Sequence, residues 1–256
     1  MTQPGTLWGV GVGPGAPDLL TLRAVAVLRR ADVLALPRAS DWSESQAWRI
    51  AKPSVGDVPG QERLFLTFPM SKDPERLRPA WDRAFDAIGA RLEAGRNVAF
   101  VTEGDPSLYS TFLYLAAAAE ERWPAVQIEV VPGVSSVNAV PARARVALAD
   151  GCERVAIVPA TYGTGDLRAV LRAFDTTVIM KIGGALADVV EAISAEGLAA
   201  RAVFVSRATM PEEQIVRDVH QVRPEQCDCF GMIVVARRDR AGLLAGATLA
   251  AREALS

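Results

Sequence analysis

The sequence is poor in the residues that make disulfides and metal sites. Its 256 residues include one histidine, His220, and three cysteines, Cys152, Cys227 and Cys229. An odd cysteine count with a lone C-x-C supports neither a disulfide framework nor a zinc site, and it points to a reducing compartment, the cytoplasm. With a single histidine, no metal centre is expected. A basic excess is missing as well: 28 Lys and Arg stand against 30 Asp and Glu, for a net charge of −2. That balance argues against a general nucleic-acid-binding protein. No apolar run reaches the length of a membrane span, and Met1-Thr-Gln-Pro-Gly-Thr6 lacks the basic start and apolar core of a signal peptide. There is also no Walker A sequence, no internal repeat and no low-complexity tract.

Half of the residues are hydrophobic, enough for a full core in one large or two medium domains. The organising stretch runs from Val98 to Phe112. Val98 to Val101 is apolar and reads as a buried strand that stops at Glu103-Gly104. Asp105 then stands where a helix N-cap belongs and Pro106 at the first helical position. Leu108, Phe112, Leu113 and Leu115 follow at helical spacing. Before this stretch, Leu7–Val12, Val33–Leu36 and Arg63–Phe68 read as strands, the second stopped by Pro37. Helices are expected after Asp18, which can cap the first of them, near Ser45–Ala51, and over Pro74–Ala94 with Gly95 beyond the end. Val126–Val131 is a further strand. Strands alternating with helices imply a parallel, doubly wound sheet.

The second half continues the α/β pattern. Val155–Val158, Thr177–Ile182, Ala202–Val205 and Met232–Ala236 read as strands, and Gln214–Val219 alternates like one. Gly165–Phe174, Ala185–Ala195 and Leu243–Leu255 read as helices. The domain boundary is placed after Ser136, giving residues 1–136 and 137–256.

Three strand ends carry glycine loops: Gly9 to Asp18, Glu103-Gly104-Asp105, and Val131-Pro-Gly-Val-Ser-Ser136. Glycine lets backbone approach backbone or ligand closely. In a parallel sheet such loops share the carboxyl edge, where α/β proteins bind ligands. Gly11 to Ala16 also fits the dinucleotide pattern G-x-G-x-x-A. NAD(P) binding nevertheless ranks below the reading that follows. Asp32, the acid at about the right distance, precedes its strand instead of following it, and Pro14 and Pro17 remove N–H donors from the turn.

In order and combination, Gly11-Val-Gly-Pro-Gly-Ala-Pro-Asp-Leu-Leu-Thr21, Glu103-Gly-Asp-Pro-Ser-Leu-Tyr109 and Val131-Pro-Gly-Val-Ser-Ser136 resemble the signature loops of the tetrapyrrole (corrin/porphyrin) methyltransferases. Phe68-Pro-Met70, Gly104 to Phe112, Glu153 to Ala160, Met180-Lys-Ile-Gly183 and Arg207 to Glu213 resemble those members that act on C20 of precorrin-2. The resemblance implies two α/β domains, a parallel doubly wound N-terminal sheet and a mixed C-terminal sheet. The second domain would close a cleft over S-adenosyl-L-methionine, and the protein would be a homodimer. It places the cofactor on Pro14, Glu103, Gly104, Asp105, Leu108, Ser135, Ser136, Ile182 and Ala208.

Some members of the family have an Asp, proposed as a base, where this chain has Pro37, so no general base is assigned. A sulfonium methyl and an electron-rich ring carbon need alignment and exclusion of water more than a triad or a metal. Arg38 and Arg207, both after strand ends, are the expected receptors of substrate carboxylates. Three alternatives stay open: a sister enzyme acting on the cobalt-loaded substrate or on another precorrin carbon, an NAD(P) oxidoreductase, and a tetrapyrrole carrier without turnover.

Overall fold

The computed structural model describes residues 3–69, 71 and 73–238. Met70, Lys72 and the expected helix over 243–255 lie outside the described residues. The chain divides into two compact units, Met1–Ser136 and Val137–Ser256.

The first unit is a five-stranded parallel sheet. Its strands are β1 (Thr6–Gly11), β2 (Val33–Arg38), β3 (Glu62–Thr67), β4 (Val98–Thr102) and β5 (Gln127–Val131), in the spatial order β3-β2-β4-β1-β5. The central register pairs Gly11 with Thr102 and Val10 with Val131. Helices α1 (Leu22–Arg30), α2 (Gln46–Val55), α3 (Pro74–Glu93) and α4 (Phe112–Arg122) connect the strands. Along β2 the side chains alternate between faces, as the strand period of two requires. Val33 and Ala35 join the core with Phe85, Ile88 and Leu92 of α3 and Phe112 and Leu115 of α4. Leu34 and Leu36 are fully buried on the opposite face, and α2 packs against β2. Gly9 of β1 has no room for a side chain: a Cβ there would lie 2.3 Å from the Phe112 ring. Its absence lets the aromatic ring sit on the strand.

Several local expectations need correction. Asp18 does not cap α1; Pro17–Leu19 is a single 3-10 turn, and the Thr21 hydroxyl caps the helix by accepting from Ala24 N at 3.0 Å. The strand at Pro37 does not stop there. Pro37 lies beyond the last β2–β4 pair, Ala35 with Phe100, where β3 is the one remaining neighbour, so its missing N–H is tolerated. Asp105-Pro106 does not begin a helix. Residues 105–111 are turns, α4 starts at Phe112, and the buried Ser110 hydroxyl accepts from Phe112 N at 3.1 Å. Leu113 accordingly faces outward, at 46% exposure, in place of lining the buried face.

The second unit begins within α5 (Ser136–Ala144) and holds a mixed sheet. Its strands are β6 (Val155–Pro159), β7 (Thr176–Met180), β8 (Ala202–Ser206), β9 (Gln214–Val216) and β10 (Gly231–Ala236), in the order β6-β7-β10-β8-β9. β6 and β7 are parallel; β10 runs antiparallel to both β7 and β8, and β9 antiparallel to β8. Helices α6 (Leu167–Ala173) and α7 (Leu186–Ala195) supply Leu171, Val189 and Ile193 to a core that also holds Ile179, Phe204 and Ile233. β7 ends at Met180, short of the expected Ile182, because Lys181 turns into the left-handed region at φ 53° and Ile182 is helical. Among the described residues no helix is long and apolar enough to cross a membrane.

Candidate functional site

The order β4-β1-β5 puts three strand ends side by side, and with them the three glycine loops. Val12 N donates to Thr102 O at 3.0 Å, and Gly13 and Gly104 exchange backbone hydrogen bonds of 3.3 and 2.8 Å in an isolated antiparallel bridge. The glycines touch one another. A Cβ on Gly133 would lie 2.2 Å from Gly104 O and 2.8 Å from Gly11 C; one on Gly11 would lie 2.6 Å from Gly104 O. Two of the three glycines are therefore demanded by contact between loops. Gly104 differs. It has φ 62°, and the nearest heavy atom to a Cβ there is Ser136 N at 4.0 Å. This is open space beside bare backbone, bounded by the start of α5.

Asp105 fastens the assembly. One of its oxygens accepts from Ser107 N at 2.8 Å and from the Ser107 hydroxyl, and the other from Gly133 N at 2.9 Å. Desolvation pushes the carboxyl up, but the Ser107 hydroxyl, Ser107 N–H and Gly133 N–H together outweigh it and hold the carboxyl below the usual range. Asp105 thus joins the second loop to the third.

Glu103 is the contrasting acid. Its side chain has no hydrogen bond or ion pair among the described residues and keeps access to solvent. Protein nevertheless surrounds it closely enough that desolvation pushes its pKa up to about 7. The side chain is exposed, so solvent screens part of that shift.

In the first unit, then, the fold brings together Glu103, Gly104, Asp105 and Ser136. Pro14 is buried in the loop after β1, and Leu108 is half-buried beyond Asp105. In the second unit, Ile182 follows β7 and Ala208 follows β8; both are buried, and the Ile182 side chain belongs to the core, which leaves its backbone as the part that can meet a ligand. The two expected carboxylate receptors already hold acids. Arg38 donates to Asp41 at 3.0 Å and to the Thr67 hydroxyl at 3.1 Å. Arg207 is paired with Asp228, with its guanidinium 5.3 Å from the Phe230 ring centre.

One feature of these loops has no counterpart in the sequence signals. Tyr109, Lys181, Arg207 and Thr209 all have positive φ, between 51° and 70°. Each adjoins an expected cofactor residue: Leu108, Ile182 and, on both sides, Ala208. For residues with a Cβ this conformation costs roughly 1–2 kcal/mol each, and such strain gathers at functional sites. No Gly or Asn marks these positions, so composition gives no warning of them. The acid that an NAD(P) site would need is also accounted for: Asp32 accepts from Asn97 N at 2.8 Å, and Asn97 precedes β4, at the opposite edge of the sheet from the glycine loops.

Residues 6–221 match the family model of the tetrapyrrole (corrin/porphyrin) methylases. A cobalt-precorrin-2 C(20)-methyltransferase from Salmonella typhimurium is 34% identical over 223 residues, covering 87% of this chain and 92% of that protein. A precorrin-2 C(20)-methyltransferase from Sinorhizobium sp is 32% identical over 217 residues, covering 80% and 85%. The crystal structure of a uroporphyrin-III C-methyl transferase from Thermus thermophilus complexed with S-adenyl homocysteine superposes with a TM-score of 0.62, at 25% identity, over 91% of this chain and 97% of that one.

Proposed function

Because this chain belongs to the tetrapyrrole (corrin/porphyrin) methylase family, we propose that it methylates C20 of precorrin-2, metal-free or cobalt-loaded, in cobalamin biosynthesis. The methyl donor is S-adenosyl-L-methionine, whose sulfonium supplies an activated methyl group. The observation that carries this reading is the meeting of Gly11, Gly104 and Gly133, with open space left beside Gly104 alone. A donor with a flat base and a short charged tail suits a shelf of bare backbone, and the apolar Pro14 and Leu108 flank that shelf.

On this reading Gly104 lets the ligand approach the backbone, and Ser135 and Ser136 at the start of α5 border it. Asp105 acts through the loops it ties together. In the second unit, the expected cofactor residues are Ile182 and Ala208, which offer backbone. Arg38 and Arg207 receive substrate carboxylates, each by exchanging Asp41 or Asp228 for the incoming acid. The proposal includes a homodimer and a cytoplasmic location.

The experiment is incubation of the protein with methyl-labelled S-adenosylmethionine and either metal-free or cobalt-loaded precorrin-2, followed by mass and NMR analysis of the product. One added methyl at C20 is expected. Methylation at another carbon, or corrinoid binding without methylation, overturns the assignment.

A further inference from the structure

Between β8 and β9 the chain makes a seven-residue loop, Arg207 to Glu213, longer than a tight hairpin needs. The loop enters the left-handed region twice, at Arg207 (φ 52°) and Thr209 (φ 70°), on either side of the buried Ala208. Backbone of this kind persists only where its surroundings hold it. At Thr209 the holder is the Glu213 carboxylate. Its Oε2 accepts from Thr209 N at 2.7 Å and from Arg143 Nε at 2.7 Å. Its Oε1 accepts from Arg143 Nε at 3.0 Å and Nη2 at 2.7 Å. Arg143 stands in the last turn of α5, so the loop is braced against a helix of its own unit. Hydrogen bonds from Arg143 hold the Glu213 carboxyl below the usual carboxylate range against the upward push of desolvation. The Thr209 N–H and the charge of Arg143 add to the lowering. Glu213 is therefore ionised at neutral pH, and its bond to Thr209 N–H is charge-assisted.

That bond sets more than Thr209. A peptide group is planar and trans, so its N–H and C=O point in opposite directions. Thr209 N–H shares its peptide with the carbonyl of Ala208. Drawing the N–H toward Glu213 aims the Ala208 oxygen the other way. Among the described residues that oxygen accepts no hydrogen bond, although Ala208 is only 5% exposed. An unpaired carbonyl on so buried a residue is uncommon, and it offers an acceptor to a ligand. We propose that Glu213 is a positioning residue of the cofactor site: through Thr209 N–H it fixes the direction of the Ala208 carbonyl and presents that oxygen to an N–H group of the cofactor. This rests on the reading above, in which Ala208 meets S-adenosyl-L-methionine with its backbone.

The test compares Glu213→Gln, which keeps the size of the side chain and removes its charge, with the double variant Glu213→Gln, Thr209→Gly. In Glu213→Gln, S-adenosylhomocysteine affinity by calorimetry is expected to fall by about tenfold or more. Glycine adopts positive φ freely, so adding Thr209→Gly recovers part of the lost affinity. In the ligand-free protein, the Thr209 amide proton resonance moves upfield in Glu213→Gln, because its charged acceptor is gone. Urea unfolding of each variant separates binding from stability. A lowered urea midpoint with unchanged affinity would reduce Glu213 to an ion pair that closes the hairpin, and it overturns the proposal. So does an affinity loss that Thr209→Gly leaves untouched, and so does an unmoved Thr209 amide. A wild type that binds no S-adenosylhomocysteine would instead overturn the functional reading, while the amide shift would still show whether Glu213 holds Thr209.

Discussion

Single residues in the glycine meeting point have separable roles, and two substitutions distinguish them. Gly133→Ala places a methyl group 2.2 Å from one backbone oxygen, and no flexible side chain is there to give way. Overpacking of this kind costs about 1–3 kcal/mol or more, so urea unfolding of Gly133→Ala is expected to show a lowered midpoint at unchanged slope. Gly104→Val meets nothing closer than 4.0 Å at its Cβ. Its positive φ costs about 1–2 kcal/mol, and the variant is expected to fold yet lose S-adenosylhomocysteine binding in calorimetric titration. Retained affinity in a folded Gly104→Val protein would show that the open space is not the cofactor shelf.

Loops and helices show where sequence reading succeeds and where it stops. Strand β4 was legible because four consecutive apolar residues between polar ends admit little else. The start of α4 was not. Gly104-Asp105-Pro106 has the chemistry of a helix start, but the Asp105 carboxylate is drawn to Gly133 N, 28 positions away, and no local pattern reveals so distant a partner. The same long-range bond predicts a pH effect. The folded-state pKa of Asp105 is depressed, so its contribution to stability is present above the unfolded value of about 3.9 and is lost as pH falls through the folded one. Asp105→Ala is therefore expected to lower stability by about 1 kcal/mol at pH 7 and by much less near pH 3, measured by urea unfolding at both. An equal loss at both values would mean that the carboxylate charge plays no part. Arg38 and Arg207 mark another limit of the sequence: their place after strand ends was legible, but their pairing with Asp41 and Asp228 was not.

At the scale of the whole molecule, the glycine-loop reading separates two ligands. A ligand that binds only the folded protein stabilises it by about 2.7 kcal/mol at a hundredfold excess over its dissociation constant. S-adenosylhomocysteine is expected to raise the melting temperature and NADPH to leave it unchanged; the reverse result would favour the oxidoreductase alternative. The sheet of the second unit carries a different consequence. β10 is the last strand among the described residues, yet it stands in the middle, between β7 and β8. Without it, β6 with β7 and β8 with β9 would be two disconnected pairs. On the ribosome, the first unit has every one of its strands by Val131 and is free to fold while synthesis continues. The second unit must wait with two half-sheets and unpaired inner edges until residues 231–236 emerge from the exit tunnel. During that interval a nascent chain is most exposed to pairing with the wrong neighbour, and a premature stop codon between residues 217 and 231 would make the exposure permanent.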